Sequence, residues 1–382
     1  MERVLRPISP VPVFPAELQQ ERAKHRIESY DVARSVAVIG MVVVNYASIF
    51  HPTGVHGWNW LVETADFLAG RAASLFIMLA GIGIGPMAQG AFRDNDHAKM
   101  SLVRYSLLKR SFFLLVAGFC LMQFWGSDIL HFYALYLVLA SWLLFCRPST
   151  LMSMIGINFL VFSIFFYLMQ GEVELPIQGA SWMVDAIDEY FLGGLYAVLP
   201  WGTFMLIGFL VVRSGLIHDR LGLTKAFFWA LAAFLGIVVF RAVLGHWQAS
   251  TLDADQFTFV DLLYMEEGFP ITPLFFLSST ATSIMVITTV ILLEKVGILQ
   301  NLFSLLKDMG RFTLTIYIAH ILLGQGVRHV LKSFFFSTDS LLVFQMSVFV
   351  CLIVTVCFAK YWARHFRYGP LEWLMRYLTC TI

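Results

Sequence analysis

The chain has 382 residues, 59% hydrophobic and 13% charged, with 36 Phe, 10 Trp and a formal net charge of +1. An ordinary soluble domain is about 25% charged, so the balance excludes a typical water-soluble enzyme and points to a polytopic membrane protein. The five cysteines (Cys120, Cys146, Cys351, Cys357, Cys380) have no CxxC or paired spacing and fall in or near apolar segments, which disfavours a disulfide framework or a metal cluster.

The first 25 residues are polar, with Pro7, Pro10, Pro12 and Pro15 and no apolar run, so targeting is expected to rest on the first transmembrane helix. Ten apolar spans are predicted: 31–50, 65–90, 105–125, 129–146, 150–169, 193–213, 226–245, 272–294, 311–331 and 339–360. Each is long enough for a helix to cross a hydrocarbon core of about 30 Å. The expected fold is all-α: a polytopic transmembrane bundle of about ten spans. It comprises a cytoplasmic tail (1–30), a helical membrane domain (31–360) and a cytoplasmic amphipathic segment (361–382).

Orientation follows from charge. Alternate loops, from the N-terminal tail to the 360–382 segment, hold 22 of the 26 Lys and Arg residues. That side is expected to be cytoplasmic, with both termini on it. The opposite loops are acidic (Glu172, Glu174, Asp185, Asp188, Glu189, Asp253, Asp255, Asp261, Glu266, Glu267). Two of them are long, about 170–192 and 246–271. SWMVDAIDEYFLGGLY on the outer side and ILQNLFSLLKDM on the inner side read as amphipathic helices. No internal repeat is evident, and no Walker, HExxH, GxSxG or GxGxxG unit stands in a suitable context.

Polar residues at membrane depth are costly and mark candidate sites. Asn45 closes the first span, and His56 follows eleven residues later in a short outer loop. A neutral imidazole there could take a proton from an alcohol or amine, and the Asn45 amide could donate to a developing oxyanion. Asp66 could orient His56. The alternative is an ordinary interfacial loop. His51, in HPTG, reads as a turn or surface residue. Asp128 and His131, in SDILHFYALY, share a helix face and either line the same cavity or form a capped helix start. Arg71 needs an anionic partner, and Asp66 lies close in sequence; a salt bridge and a substrate contact both fit. Arg241 is expected to snorkel outward. In GRFTLTIYIAHILLGQG, His320 lies near mid-membrane and is a candidate for lining a central passage. Arg34, Lys109, Arg110 and Arg311 sit at inner span ends, as positive-inside topology requires and as an anion site would. Trp58 could stack on a sugar ring or anchor at the interface.

These residues carry a resemblance. SYDVARSVAVIGMVVVNYA resembles the first span of the heparan-alpha-glucosaminide N-acetyltransferase family, a D-x-x-R-G start and a V-N-Y ending. Asp31, Arg34, Asn45 and Tyr46 match in spacing, and Ser35 replaces the Gly. That family's catalytic histidine lies eleven residues beyond the Asn, where this chain has His56; Trp58-Asn59, displaced by one, and Ala65-Asp66 follow. SLFIMLAGIGIG resembles the family's small-residue second helix, and GRFTLTIYIAHI its late G-x-x-x-L-x-Y-x-x-H helix. GSDILHFYAL and FRYGPLEWLMRYLT resemble signatures of the related YeiB-like bacterial membrane proteins.

The resemblance implies an acyltransferase that moves an acetyl group from cytoplasmic acetyl-CoA to a hydroxyl or amine of an extracytoplasmic acceptor, such as a sugar or glycan. His56, Asn45 and Asp66 would be catalytic. Arg34, Lys109, Arg110, Arg311 and His320 would bind the donor, and Trp58, Arg71, Asp128 and His131 the acceptor. No metal is called for. The expected location is the inner cell membrane, multi-pass; a homodimer is compatible and no nucleic-acid partner is expected. The rival from residue types is a transporter or exporter of a small metabolite, which His320 and Arg71 would suit equally.

Overall fold

The computed structural model describes residues 28–52, 59–93, 96–170, 188–192, 194–215, 219–251, 265–266, 268–269, 271–334 and 337–379. Among them the structure is helical, with no strand. The helices are α1 (Glu28–Phe50), α2 (Trp60–Leu68), α3 (Arg71–Arg93), α4 (His97–Met122), α5 (Leu130–Leu143), α6 (Pro148–Gln170) and α7 (Val198–Arg213). The second half adds α8 (Arg220–Thr251), α9 (Pro273–Val296), α10 (Gln300–Arg311), α11 (Thr313–Ser333), α12 (Leu341–His365) and α13 (Pro370–Leu378). A short π-helical turn covers Asp188–Leu192.

Every expected span corresponds to a helix. Seven (α1, α4, α6, α8, α9, α11, α12) are long and apolar enough to cross a membrane, and α2 with α3 forms an eighth, bent by 45°. The expected single span 65–90 is therefore broken. Asn59 caps α2 through its side chain, which accepts from the Leu61 and Val62 amides, and Gly70, at φ +71°, makes the bend. A Cβ at Gly70 would strike the Phe275 ring, so the turn needs glycine sterically as well as conformationally. The apolar helices α5 and α7 have 14 and 16 residues, about 21 and 24 Å at 1.5 Å per residue, shorter than a straight crossing.

α1 is the central helix. It packs against α2, α3, α9, α10, α11 and α12, and its apolar window is 61% buried against 6% for the peripheral α8. Small residues let the inner helices touch: a Cβ at Gly81 would strike the Met205 carbonyl of α7, and one at Gly208 the Met78 carbonyl of α3.

Both amphipathic segments at the basic end are helices laid against the bundle. α10 is held to α1 by Ser35 Oγ donating to the Leu306 carbonyl and by a Lys307–Glu28 ion pair. α13 is clasped to the start of α11. Glu372 accepts from the backbone N–H groups of Leu314 (2.7 Å) and Thr315 (3.1 Å) and from Thr315 Oγ1 (2.5 Å). Thr315 Oγ1 accepts in turn from Leu371 N at 3.1 Å. α11 has no side-chain cap of its own, so Glu372 does that work from 57 residues away. Of the expected outer amphipathic segment, residues 181–187 and 193 lie outside the described residues.

Candidate active site

Asn45 lies 17 residues into α1, about 25 Å from its start. It faces α11, and its Nδ2 is 3.0 Å from His320 Nε2. The Nδ1 of His320 lies 3.1 Å from the Ile316 carbonyl. A carbonyl can only accept, so Nδ1 carries the proton and Nε2 receives the Asn45 amide hydrogen. His320 is 1% exposed. The rings of Tyr46 (6.5 Å, stacked) and Tyr317 (5.4 Å, T-shaped) fix its plane.

Tyr317 joins this pair to a second one. Its hydroxyl donates to Asp128 Oδ1 at 3.2 Å and accepts from the Ile129 amide at 3.4 Å. Asp128 Oδ2 accepts from the backbone of Leu130 (2.9 Å) and His131 (3.3 Å) and faces His131 Nδ1 at 3.1 Å. Asp128 thus caps the start of α5, as one reading of the SDILHF stretch expected, and belongs to a buried polar cluster; the other reading, a cavity shared with His56, falls on residues outside those described. A carboxylate 1% exposed needs such donors, since burying an unpaired charge costs several kcal/mol. Gly118 of α4 admits the turn; a Cβ there would lie 2.9 Å from both Asp128 Oδ2 and His131 Cβ. Asn45, His320, Tyr317, Asp128 and His131 therefore form one continuous cluster, assembled from α1, α11 and the turn into α5.

The basic residues divide. Arg34 pairs with Asp31 at 2.9 Å yet stays 28% exposed. It reaches α3, where a Cβ on Gly83 would lie 2.7 Å from Arg34 Nη2. Arg34 and Arg110 both lie within electrostatic reach of the Tyr133 hydroxyl. Lys109 departs from this pair: its Nζ rests 4.4 Å from the Tyr105 ring centroid, on an apolar groove between α4 and α13. Arg311 turns to Asp308 (3.2 Å) and the Arg367 carbonyl (2.9 Å). The four expected donor-binding cations thus do not form one ring, because α10 and α13 draw Arg311 to themselves.

At the acidic end, the expected Arg71–Asp66 pairing is replaced. Asp66 is exposed on α2, whereas Arg71 pairs with Glu266 and lies 3.3 Å from Ser278 Oγ. Arg241 pairs with the same carboxylate instead of simply snorkelling. The reason is geometric: Gly70 turns α3 away from α2, and the turn before α9 brings Glu266, 5% exposed, between the two guanidiniums. His51 is exposed at φ +45°, a turn residue as expected. His56 and Trp58 lie in the 53–58 segment, outside the described residues.

Sequence reasoning passed over three residues that organise these sites. Tyr317 was visible only as a polar residue in an apolar run, and Glu266 only as one of many outer acids. Glu372 lay inside a recognised signature without a role.

A family model described as heparan-alpha-glucosaminide N-acetyltransferase, catalytic, matches residues 26–237, more than half of the chain. A second, described as a protein of unknown function (DUF418), matches residues 211–381. The uncharacterized protein YxaH of Bacillus subtilis (strain 168) is 22% identical over 418 aligned positions, covering 95% of this chain and 96% of that protein. The first match takes in Asn45, Asp128 and His131, and the second takes in Tyr317, His320 and Glu372. The two matches meet in one polar cluster, and the chain belongs to the heparan-alpha-glucosaminide N-acetyltransferase catalytic family, with a C-terminal part similar to the related YeiB-like proteins.

Proposed function

We propose that this multi-pass membrane protein takes an acetyl group from acetyl-CoA on the cytoplasmic face and delivers it to a hydroxyl or amine of a sugar or glycan across the inner membrane. The observation that carries the reading is the Asn45–His320 contact. His320 receives one amide hydrogen of Asn45 and fixes the amide plane; the second N–H has no partner among the described residues. A preset amide donor in a water-poor site suits a thioester carbonyl as charge grows on its oxygen, an effect worth about 10²–10³ in rate. His56 meets the thioester carbon, as base or as acyl carrier, and Asp66 balances its charge. Arg34 and Arg110 hold the phosphates of the donor, with Lys109 and Arg311 supplying longer-range positive potential. Trp58 and Arg71 contact the acceptor. Ten spans, eight of full length and the shorter α5 and α7 where the bilayer thins to meet them, run between a cytoplasmic tail (1–30) and a cytoplasmic C-terminal segment (361–382), with both termini inside.

Ligand-dependent stability tests this reading. Acetyl-CoA and CoA raise the melting temperature of the purified protein, and the shift shrinks in Arg34→Ala and Arg110→Ala. No shift with either ligand, together with metabolite flux through proteoliposomes, would replace acetyl transfer with transport.

A further inference from the structure

The thioester end of this reaction uses Asn45 and His56, which leaves the buried Asp128–His131 pair without a task beyond capping a helix. Capping needs only the carboxylate and two backbone N–H groups; it does not need a buried imidazole. Asp128, acceptor-only when ionised, takes the His131 Nδ1 hydrogen at 3.1 Å and thereby fixes the tautomer with its lone pair on Nε2. No described residue pairs with that Nε2. The His131 side chain is 4% exposed. Around the imidazole ring stand Phe119, stacked at 5.8 Å, Phe132 at 4.2 Å, and Tyr190, edge-on at 6.3 Å, between ring centroids. Tyr190 belongs to the π-helical turn that follows the long acidic-side loop. An imidazole oriented by a carboxylate, with its free nitrogen in an aromatic collar at the acceptor's side, has the geometry of a general base.

We infer that His131, oriented by Asp128, is the base that deprotonates the acceptor, in place of His56. This rests on the acetyl-transfer reading and assigns a role to its acceptor half. Nε2 takes the proton from the acceptor O–H or N–H as the new bond to the acetyl carbon forms. The bond from that carbon to its carrier, sulfur or imidazole, breaks with its electron pair. The proton that His131 has gained passes to the leaving group: a thiolate becomes CoA thiol directly, whereas an imidazole carrier is released as neutral imidazole, its CoA thiol having left when the carrier was acetylated. The aromatic collar suits a ring with an apolar face, such as a pyranose.

The test uses the full-length protein in nanodiscs, radiolabelled acetyl-CoA, and glucosamine and N-acetylglucosamine as amine and hydroxyl probes. His131→Gln keeps a donor toward Asp128; its transfer rate is expected to fall at least about 100-fold, the usual contribution of a positioned base. Its stabilisation by acetyl-CoA is expected to be unchanged. His131→Gly, with imidazole added, is expected to regain transfer; that rescue is something a structural role would not give. Wild-type turnover in His131→Gln, or loss in His131→Gly that imidazole leaves untouched, would overturn the assignment while leaving acetyl transfer standing. A wild-type protein that acetylates neither probe would remove both.

Discussion

Replacing Glu372 with alanine would remove the three hydrogen bonds that clasp α13 to the start of α11. The amides of Leu314 and Thr315 would be left without a capping acceptor. Loss of a cap costs about 0.5–2 kcal/mol, and a hydrogen bond to a charged group contributes about 1.5–3 kcal/mol. Relief from burying a carboxylate, 9% exposed here, offsets part of that, for a net loss of about 2–3 kcal/mol. In a chain this long that is a fall of about 2.5–4 °C in melting temperature. Burial raises the Glu372 carboxyl above its ordinary range, against the opposing bonds from Thr315 and Leu314. The sign follows: a folded pKa above the unfolded one makes the contribution full below the ordinary carboxylate pKa and lost as pH rises through the folded value. Wild-type protein should therefore gain stability on acidification through that window, and Glu372→Gln should lose this pH dependence. Thermal unfolding in detergent across pH, with hydrogen exchange at Leu314 and Thr315, measures both effects. An alanine variant that melts with wild type and shows unchanged exchange would refute the clasp.

Other substitutions probe the remaining sites. Glu266→Gln leaves the Arg71 guanidinium buried beside Arg241 with no anion between them; breaking a buried pair costs about 3–5 kcal/mol, and unfolding of the variant in detergent should show it. Asp66→Asn should leave stability unchanged, because Asp66 is exposed and Arg71 looks elsewhere. Gly83→Ala should push Arg34 off α3 and raise the KM for acetyl-CoA with little change in kcat, since a displaced phosphate contact weakens ground-state and transition-state binding alike. Gly118→Ala should push the Asp128–His131 turn off α4 and lower kcat more than it raises KM.

Local chemistry was legible in the sequence. Apolar runs mark the spans, whereas the capping role of Asn59, which starts a helix at Trp60, went unread. The break at Gly70 was missed because an Ala-Gly-Arg interruption inside an apolar run looks like tolerated helix; only the Phe275 ring, brought in from α9, makes the bend obligatory. Asn45, His320, Asp128 and His131 each stood out as polar groups at membrane depth. Their union did not, since Asn45 and His320 are 275 residues apart, and Tyr317 and Asp128 are 189 apart. The Arg71–Asp66 pairing failed for the same reason: sequence proximity stood in for a partner 195 residues away. Lys109 and Arg311 were grouped with Arg34 and Arg110 by their side of the membrane alone, and nothing in the residue types foretold that α10 and α13 would claim Arg311.

Vectorial acetyl transfer is the most direct test of the account. Proteoliposomes carrying the protein, with labelled acetyl-CoA supplied only at the face bearing α10 and α13 and glucosamine only at the other, should accumulate acetylated sugar on the acceptor side. His56→Ala and Asn45→Ala, folded and still stabilised by acetyl-CoA, should accumulate none. Product that forms only when both substrates share one face, or near-normal turnover in both variants, would contradict it.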